Sequence, residues 1–428
     1  MPVKKLTRNI LQARPGEERA VGLAFLYFFL LLCSYYLLRP LRDAMAPAAG
    51  FNNLAWLFTA TFVVMLALAP FFGMLVARVR KQFLLPVSYG FFAFNLLIFY
   101  LLFKFEPESR WVASAFFVWL SVFNMFVVSI FWSFMVDVFR DEEAKRLFGP
   151  IAAGGGTGAI IGPLLTQILA ERIGVDGVVG LSMLLLLATL PCIRGLARWA
   201  QERHGHFVLP PTDPEARIGG SALAGIKLVA ESPYLLGVFA VIAISSIAGT
   251  FMYFEVQHIA ADAYPEIGAR TTFYARLDVA VNVLTFLFQG FAASWLIRRF
   301  ELGGALLAMP AIALASFAWL AAMPQLMPLA ISQVIRRAGD FGIGRPAREI
   351  LFTVVDPETK YKAKNFIDTV LQRFGDMVGG WFHLLLSSLG VALAGFAVLC
   401  GAGMLAVAFI VAWLGREFAR REAEVGTI

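Results

Sequence analysis

Charge is scarce in this chain. Only 15% of its 428 residues are Asp, Glu, Lys or Arg, against about 25% in ordinary soluble domains, too few to give a chain of this length a water-facing surface. Histidine and cysteine are scarcer still. The four histidines stand in no paired Cys/His spacing, so no metal site is expected. Cys33, Cys192 and Cys400 lie far apart in apolar runs, which argues against a disulfide framework. Leu54–Leu75 lacks the in–out alternation that an outer-membrane barrel strand needs. The first 20 residues are charged, hold Arg14-Pro15-Gly16-Glu17-Glu18 and show no small-residue cleavage site, so they do not read as a secretory signal. A Ser/His/Asp set and a soluble domain are missing too, so neither an enzyme nor a bound cofactor is expected.

Apolar length is abundant instead: 59% of the residues are hydrophobic. Val21–Leu38, Leu54–Ala77 and Val391–Leu414 are nearly free of charge. Each is long enough to cross a hydrocarbon layer of about 30 Å at about 1.5 Å per residue. Twelve spans are predicted, at 19–39, 53–77, 83–103, 111–139, 147–170, 177–198, 233–257, 271–297, 302–322, 325–344, 365–388 and 391–415. The fold class is therefore an all-α polytopic membrane protein embedded in a lipid bilayer.

The basic residues sort by side. With the N-terminus in the cytoplasm, 26 of the 36 Lys and Arg residues fall in cytoplasmic connections and tails. Six (Arg39, Arg42, Lys104, Arg110, Arg172 and Arg270) fall on the opposite side. By the positive-inside rule both termini are expected in the cytoplasm, and the location expected is the cell inner membrane. The net charge of +7 is then a topology signal and not the mark of a nucleic-acid partner.

The longest polar connection, about 199–222, carries Pro210-Pro211, Asp213-Pro214 and Gly219-Gly220 and separates six spans from six. An internal repeat supports the division. Asp141-Glu142-Glu143-Ala144-Lys145 after the fourth span is answered 215 residues later by Asp356-Pro357-Glu358-Thr359-Lys360 after the tenth. The expected organisation is an N-terminal six-helix bundle (1–198), a cytoplasmic central loop (199–232) and a C-terminal six-helix bundle (233–428). Two related six-helix bundles with both termini inside resemble the major facilitator architecture, which implies a binding site between the halves near mid-membrane.

An ionisable group at the bilayer centre costs roughly 2.5–3.5 kcal/mol, so each one needs a partner or a purpose. On the eighth span Asp278, Asn282, Thr285 and Gln289 share one helical face. Gln333, Arg336, Asp340 and Gly344 form a second face on the tenth span, and Ser129, Ser133 and Asp137 a third on the fourth. Such stripes line a cavity or lock helices together. Arg39 and Arg42 follow an apolar run of about 19 residues. They either snorkel to the outer interface or, with Pro40 kinking or breaking the helix between them, aim planar donor forks at phosphate or carboxylate. Ala153–Pro163 is glycine-rich but has no Lys-Ser/Thr ending and follows no strand, so it is not a phosphate loop. Its Gly154, Gly158 and Gly162 share a face suited to close helix packing. His258 and His383 read as isolated structural histidines.

Several stretches resemble the non-mitochondrial ATP/ADP translocases of plastids and obligate intracellular bacteria. They are Tyr36-Leu37-Leu38-Arg39-Pro40-Leu41-Arg42-Asp43, Phe131-Trp132-Ser133-Phe134-Met135-Val136-Asp137, Glu142-Glu143-Ala144-Lys145-Arg146, Asp356 through Asp368, and Arg373-Phe374-Gly375. The resemblance implies functional roles for Arg42, Asp137, Glu255 and Lys364. Arg42 stands where that family has lysine, Asp137 where it has glutamate or glutamine, and Asp376 where it tends to be basic.

These readings converge on a secondary transporter working by alternating access. The expected cargo is a nucleotide such as ATP or ADP, or another phosphorylated or anionic metabolite, with a counter-substrate or a coupling proton. Arg39, Arg42, Glu255, Asp278, Asn282, Gln289 and Arg336 are expected to bind substrate. Asp137, Asp340, Lys364, Asp368 and Arg373 are expected to gate or couple. The alternatives are a proton-coupled facilitator for a non-nucleotide solute and a non-transporting sensor with this fold.

Overall fold

The computed structural model describes residues 14–50, 53–78, 81–107, 109–204, 229–355 and 371–425. Lys364, Asp368 and the second copy of the acidic repeat lie outside them, as does most of the central loop. The regular secondary structure of the described residues is all helical, the form in which a spanning segment satisfies its own backbone donors and acceptors. The helices are α1 (Glu18–Met45), α2 (Leu54–Arg78), α3 (Lys81–Phe105), α4 (Arg110–Val138), α5 (Asp141–Leu187), α6 (Thr189–His204) and α7 (Pro233–Ala263). There follow α8 (Ile267–Leu287), α9 (Ala293–Ala322), α10 (Leu326–Gly339), α11 (Arg345–Leu351), α12 (Gln372–Ser388) and α13 (Leu393–Val425).

Two breaks bring these helices into line with the twelve spans. Within α5 the chain turns at Gly174 (φ 72°, ψ 176°), a backbone conformation that glycine enters without a Cβ penalty. Within α9 it turns at Glu301 (φ 58°, ψ −176°), where an L side chain is strained. The π-helical turn Phe288–Ala292 joins α8 to α9, and a second, Asp340–Gly344, joins α10 to α11. Pro40 does not break α1, which runs on to Met45. Arg39 and Arg42 therefore belong to the helix and not to a loop.

The chain forms two compact units. The first holds Met1–Ala49, Val63–Ala216 and Tyr264–Val279; the second holds Gly50–Phe62, Arg217–Ala263 and Ala280–Ile428. In the first, α5 lies directly on α1. Cβ atoms at Gly154, Gly158 and Gly162 would run into the backbone at Phe25, Phe29 and Cys33, so the glycine stripe is what permits the approach. Hydrogen bonds hold this contact. The Ser34 hydroxyl pairs with that of Ser182 at 2.8 Å, and the Thr166 hydroxyl donates to the Leu37 carbonyl at 2.7 Å. Around them Phe28 stacks on Phe131 at 4.0 Å, and the buried Tyr27 and Tyr89 hydroxyls meet. At the start of α1, buried Glu17 accepts from Arg146 at 2.9 Å and Arg203 at 3.3 Å.

In the second unit α12 packs on α7. Cβ atoms at Gly375 and Gly379 would collide with Ser246 and with Thr250 and Ile247. The two π turns meet at Gly342, where a Cβ would strike Phe288.

Candidate functional site

Each unit carries its own buried polar chemistry. In the first, Arg39 reaches Asp278 with Nη1 3.5 Å from Oδ1, the two side chains 15% and 2% exposed. Tyr36 lies under the same guanidinium at 5.7 Å. One turn on, Arg42 binds its neighbour Asp43 through Nε and Nη2 at 2.9 and 2.7 Å and covers the Phe117 ring at 4.9 Å. Two guanidinium groups thus lie within one turn of α1, each beside a carboxylate and an aromatic face, an arrangement that keeps the cations oriented. Asp137 lies half-buried in the last turn of α4.

The second unit has three clusters. Glu255 of α7 meets His383 of α12, Oε1 to Nε2 at 2.8 Å. The imidazole stacks on Phe396 at 4.6 Å, with the Phe254 ring at 5.1 Å. The sequence reading of His383 as isolated is thereby corrected: an apolar helix face hid a cross-helix partner. The signal available was spacing, because Asp376, Gly379, Gly380 and His383 share one face of α12.

Asp376 accepts hydrogen bonds from the hydroxyls of Ser246 at 2.7 Å and Thr250 at 3.4 Å, with Arg373 3.8 Å away. Asp340, the first residue of its π turn, is held by Arg348 at 3.0 Å and Arg345 at 3.8 Å. Sequence reasoning missed both of those arginines as partners because they look like loop charges following the tenth span. The guanidinium of Arg336 lies over Gly249 of α7, where a Cβ would come within 2.9 Å of Nη1. On the eighth-span stripe, Asp278 pairs with Arg39 and Gln289 donates to the Phe341 carbonyl at 3.1 Å. Asn282 lies half-buried on the same helix.

The substrate and gating sets read from sequence thus separate into several local pairs. Arg39 with Asp278, Glu255 with His383, Asp340 with Arg345 and Arg348, and Arg373 with Asp376 are each brought together. The placement of Lys364 and Asp368 lies outside the described residues.

Comparison with known proteins accords with this picture. The model of the Major Facilitator Superfamily matches residues 23–347. ADP,ATP carrier protein 1 of Chlamydia pneumoniae is 22% identical over an alignment that covers 94% of this chain and 88% of the carrier. Among solved structures, a POT family transporter in complex with 5-aminolevulinic acid superposes with a TM-score of 0.64 at 10% identity, covering 95% of this chain and 98% of that one. The nucleoside transporter NupG superposes with a TM-score of 0.57 at 13% identity, covering 95% and 99%.

Proposed function

This chain belongs to the Major Facilitator Superfamily, and from that premise we propose that this multi-pass secondary transporter exchanges a phosphorylated or otherwise anionic metabolite, a nucleotide before others. It does so by alternating access in a bacterial inner membrane, with both termini in the cytoplasm. The observation that carries the reading is the pair Arg39 and Arg42, held one turn apart inside α1 with side chains 15% and 13% exposed. The separation of 3.5 Å between Arg39 and Asp278 is long for a charge-assisted contact. An incoming phosphoryl group can therefore compete for the guanidinium while Asp278 holds it in place between transport events. The carrier from Chlamydia pneumoniae, similar over most of the chain, supports a nucleotide as the first cargo to test.

The test is exchange of radiolabelled ADP against internal ATP in proteoliposomes. Arg39→Gln and Arg42→Ala should each cut the exchange rate roughly 10- to 150-fold, the worth of a lost hydrogen bond to a charged group. Exchange at the wild-type rate in both variants would overturn the reading.

The Glu255–His383 contact favours a second reading, proton-coupled movement of a non-nucleotide solute. A histidine hydrogen-bonded to a carboxylate inside a span is a pair through which a proton can be passed. Under this reading uptake collapses with the pH gradient in wild type and is insensitive to it in His383→Gln.

A further inference from the structure

Inside the second unit, α7, α9, α10, α11, α13 and the π turn Asp340–Gly344 line a partly open cavity of about 50 Å³. Most of its wall is aliphatic, with Leu306, Met404 and Val407 among the contributors. Its polar lining is Ser245, Arg336, Asp340 and Arg348. A space of this size holds roughly three to five water molecules, room for a compact anion.

The charges around it do not balance. Asp340 is taken up by Arg348 and Arg345, and Asp376 by Ser246, Thr250 and Arg373. Asp340 and Asp376 act on Arg336 only as more distant charges. Among the described residues no carboxylate forms an ion pair with Arg336, and its Nε is buried without a hydrogen-bond partner. A half-buried cation inside a span without a close counter-charge is costly, and the backbone is shaped to keep this one where it is. Gly249 leaves the room in which the guanidinium lies, since a Cβ there would come within 3.1 Å of Nη1, Nη2 and Cζ.

We propose that this cavity is an anion site, in which Arg336 and the Ser245 hydroxyl hold a phosphoryl-sized oxyanion. Arg348 supplies further positive potential while engaged with Asp340. The oxyanion comes from free inorganic phosphate, from the phosphoryl end of the cargo or from an anionic lipid headgroup. The site itself does not depend on the nucleotide reading.

The experiment is thermal unfolding of the purified protein in phosphatidylcholine nanodiscs, titrated with inorganic phosphate. Parallel arms use ADP and nanodiscs containing phosphatidylglycerol. Wild type and the exposed-site control Arg420→Gln should show a saturable rise in melting temperature with phosphate. In Arg336→Gln and Gly249→Ala the apparent Kd should be at least tenfold weaker. Ser245→Ala should weaken binding less. If Arg336→Gln does not fold, Gly249→Ala, which displaces the guanidinium without removing its charge, decides the question.

A response confined to ADP, or to phosphatidylglycerol, and lost in Gly249→Ala upholds the site and identifies its source. The proposal is overturned if wild type responds to none of the three, or if Gly249→Ala responds as wild type does. A phosphate response dependent on Arg336, in a protein that does not exchange ADP, would refute the nucleotide reading and leave this site standing.

Discussion

Arg39 and Asp278 show how much of a membrane site can be read from single residues. Each stood out in the sequence as an ionisable group inside an apolar span, where insertion is costly. The pairing was not legible. Helical spacing tells which residues share a face, and so it grouped Asp278 with Asn282 and Gln289, but it does not tell which helix that face meets. The structure joins Asp278 to Arg39 at 3.5 Å and sends Gln289 to the Phe341 carbonyl. Buried as they are, the two charges should be strongly coupled. Asp278→Asn should destabilise the protein by about 3–5 kcal/mol by leaving a buried guanidinium without its carboxylate, and the double variant Arg39→Gln/Asp278→Asn should regain a large part of that loss. Reversible unfolding in mixed micelles measures both. A double variant no more stable than Asp278→Asn alone would show that the contact is incidental.

At the scale of helices the sequence was far more informative, because packing in a membrane leaves a compositional trace. With no hydrophobic drive between helices in lipid, close approach needs small residues in register, and Gly154, Gly158 and Gly162 stood at that spacing before any contact was known. Their Cβ positions fall on the backbone of α1. Gly156, two residues along on another face, has nothing within 4 Å of its Cβ position. The two should therefore respond oppositely to one added methyl group. Gly158→Ala should lower stability by about 1–3 kcal/mol through overpacking, whereas Gly156→Ala should be neutral or raise it by up to about 1 kcal/mol through helix propensity. Equal melting temperatures for the two variants would mean that the α1–α5 seam yields without cost. The breaks and continuities of the helices were harder to read. Pro40 looked like an interruption, yet α1 runs through it, because the cost of one missing backbone donor is small beside the packing of a 28-residue helix. Glu301 lies in the connection 298–301 expected between the eighth and ninth spans, but its left-handed backbone is something its residue type does not announce.

For the molecule as a whole, the asymmetry of its basic residues is an argument about orientation, and the structure makes it steeper. Six basic residues were assigned to the outer side on sequence alone. Two of these, Arg39 and Arg42, lie within α1 and are bound to Asp278 and Asp43, so they do not act as loop charges during insertion. Lys104, Arg110, Arg172 and Arg270 are left on that side, and even with Arg345 and Arg348, bound to Asp340 in α11, set aside in the same way, the other side keeps 24 of its 26. The rule counts Lys and Arg in short connections and near span ends, and these four sit at the ends of their spans. Both termini should therefore be cytoplasmic. Fused after Ile428, green fluorescent protein should fluoresce and alkaline phosphatase should be inactive; fused after Glu106, alkaline phosphatase should be active. The inverse pattern would put Arg14, Glu17 and the Arg146–Arg203 cluster outside and reverse the side from which Arg39 and Arg42 are approached. Orientation should therefore be measured before the direction of transport in cells is interpreted.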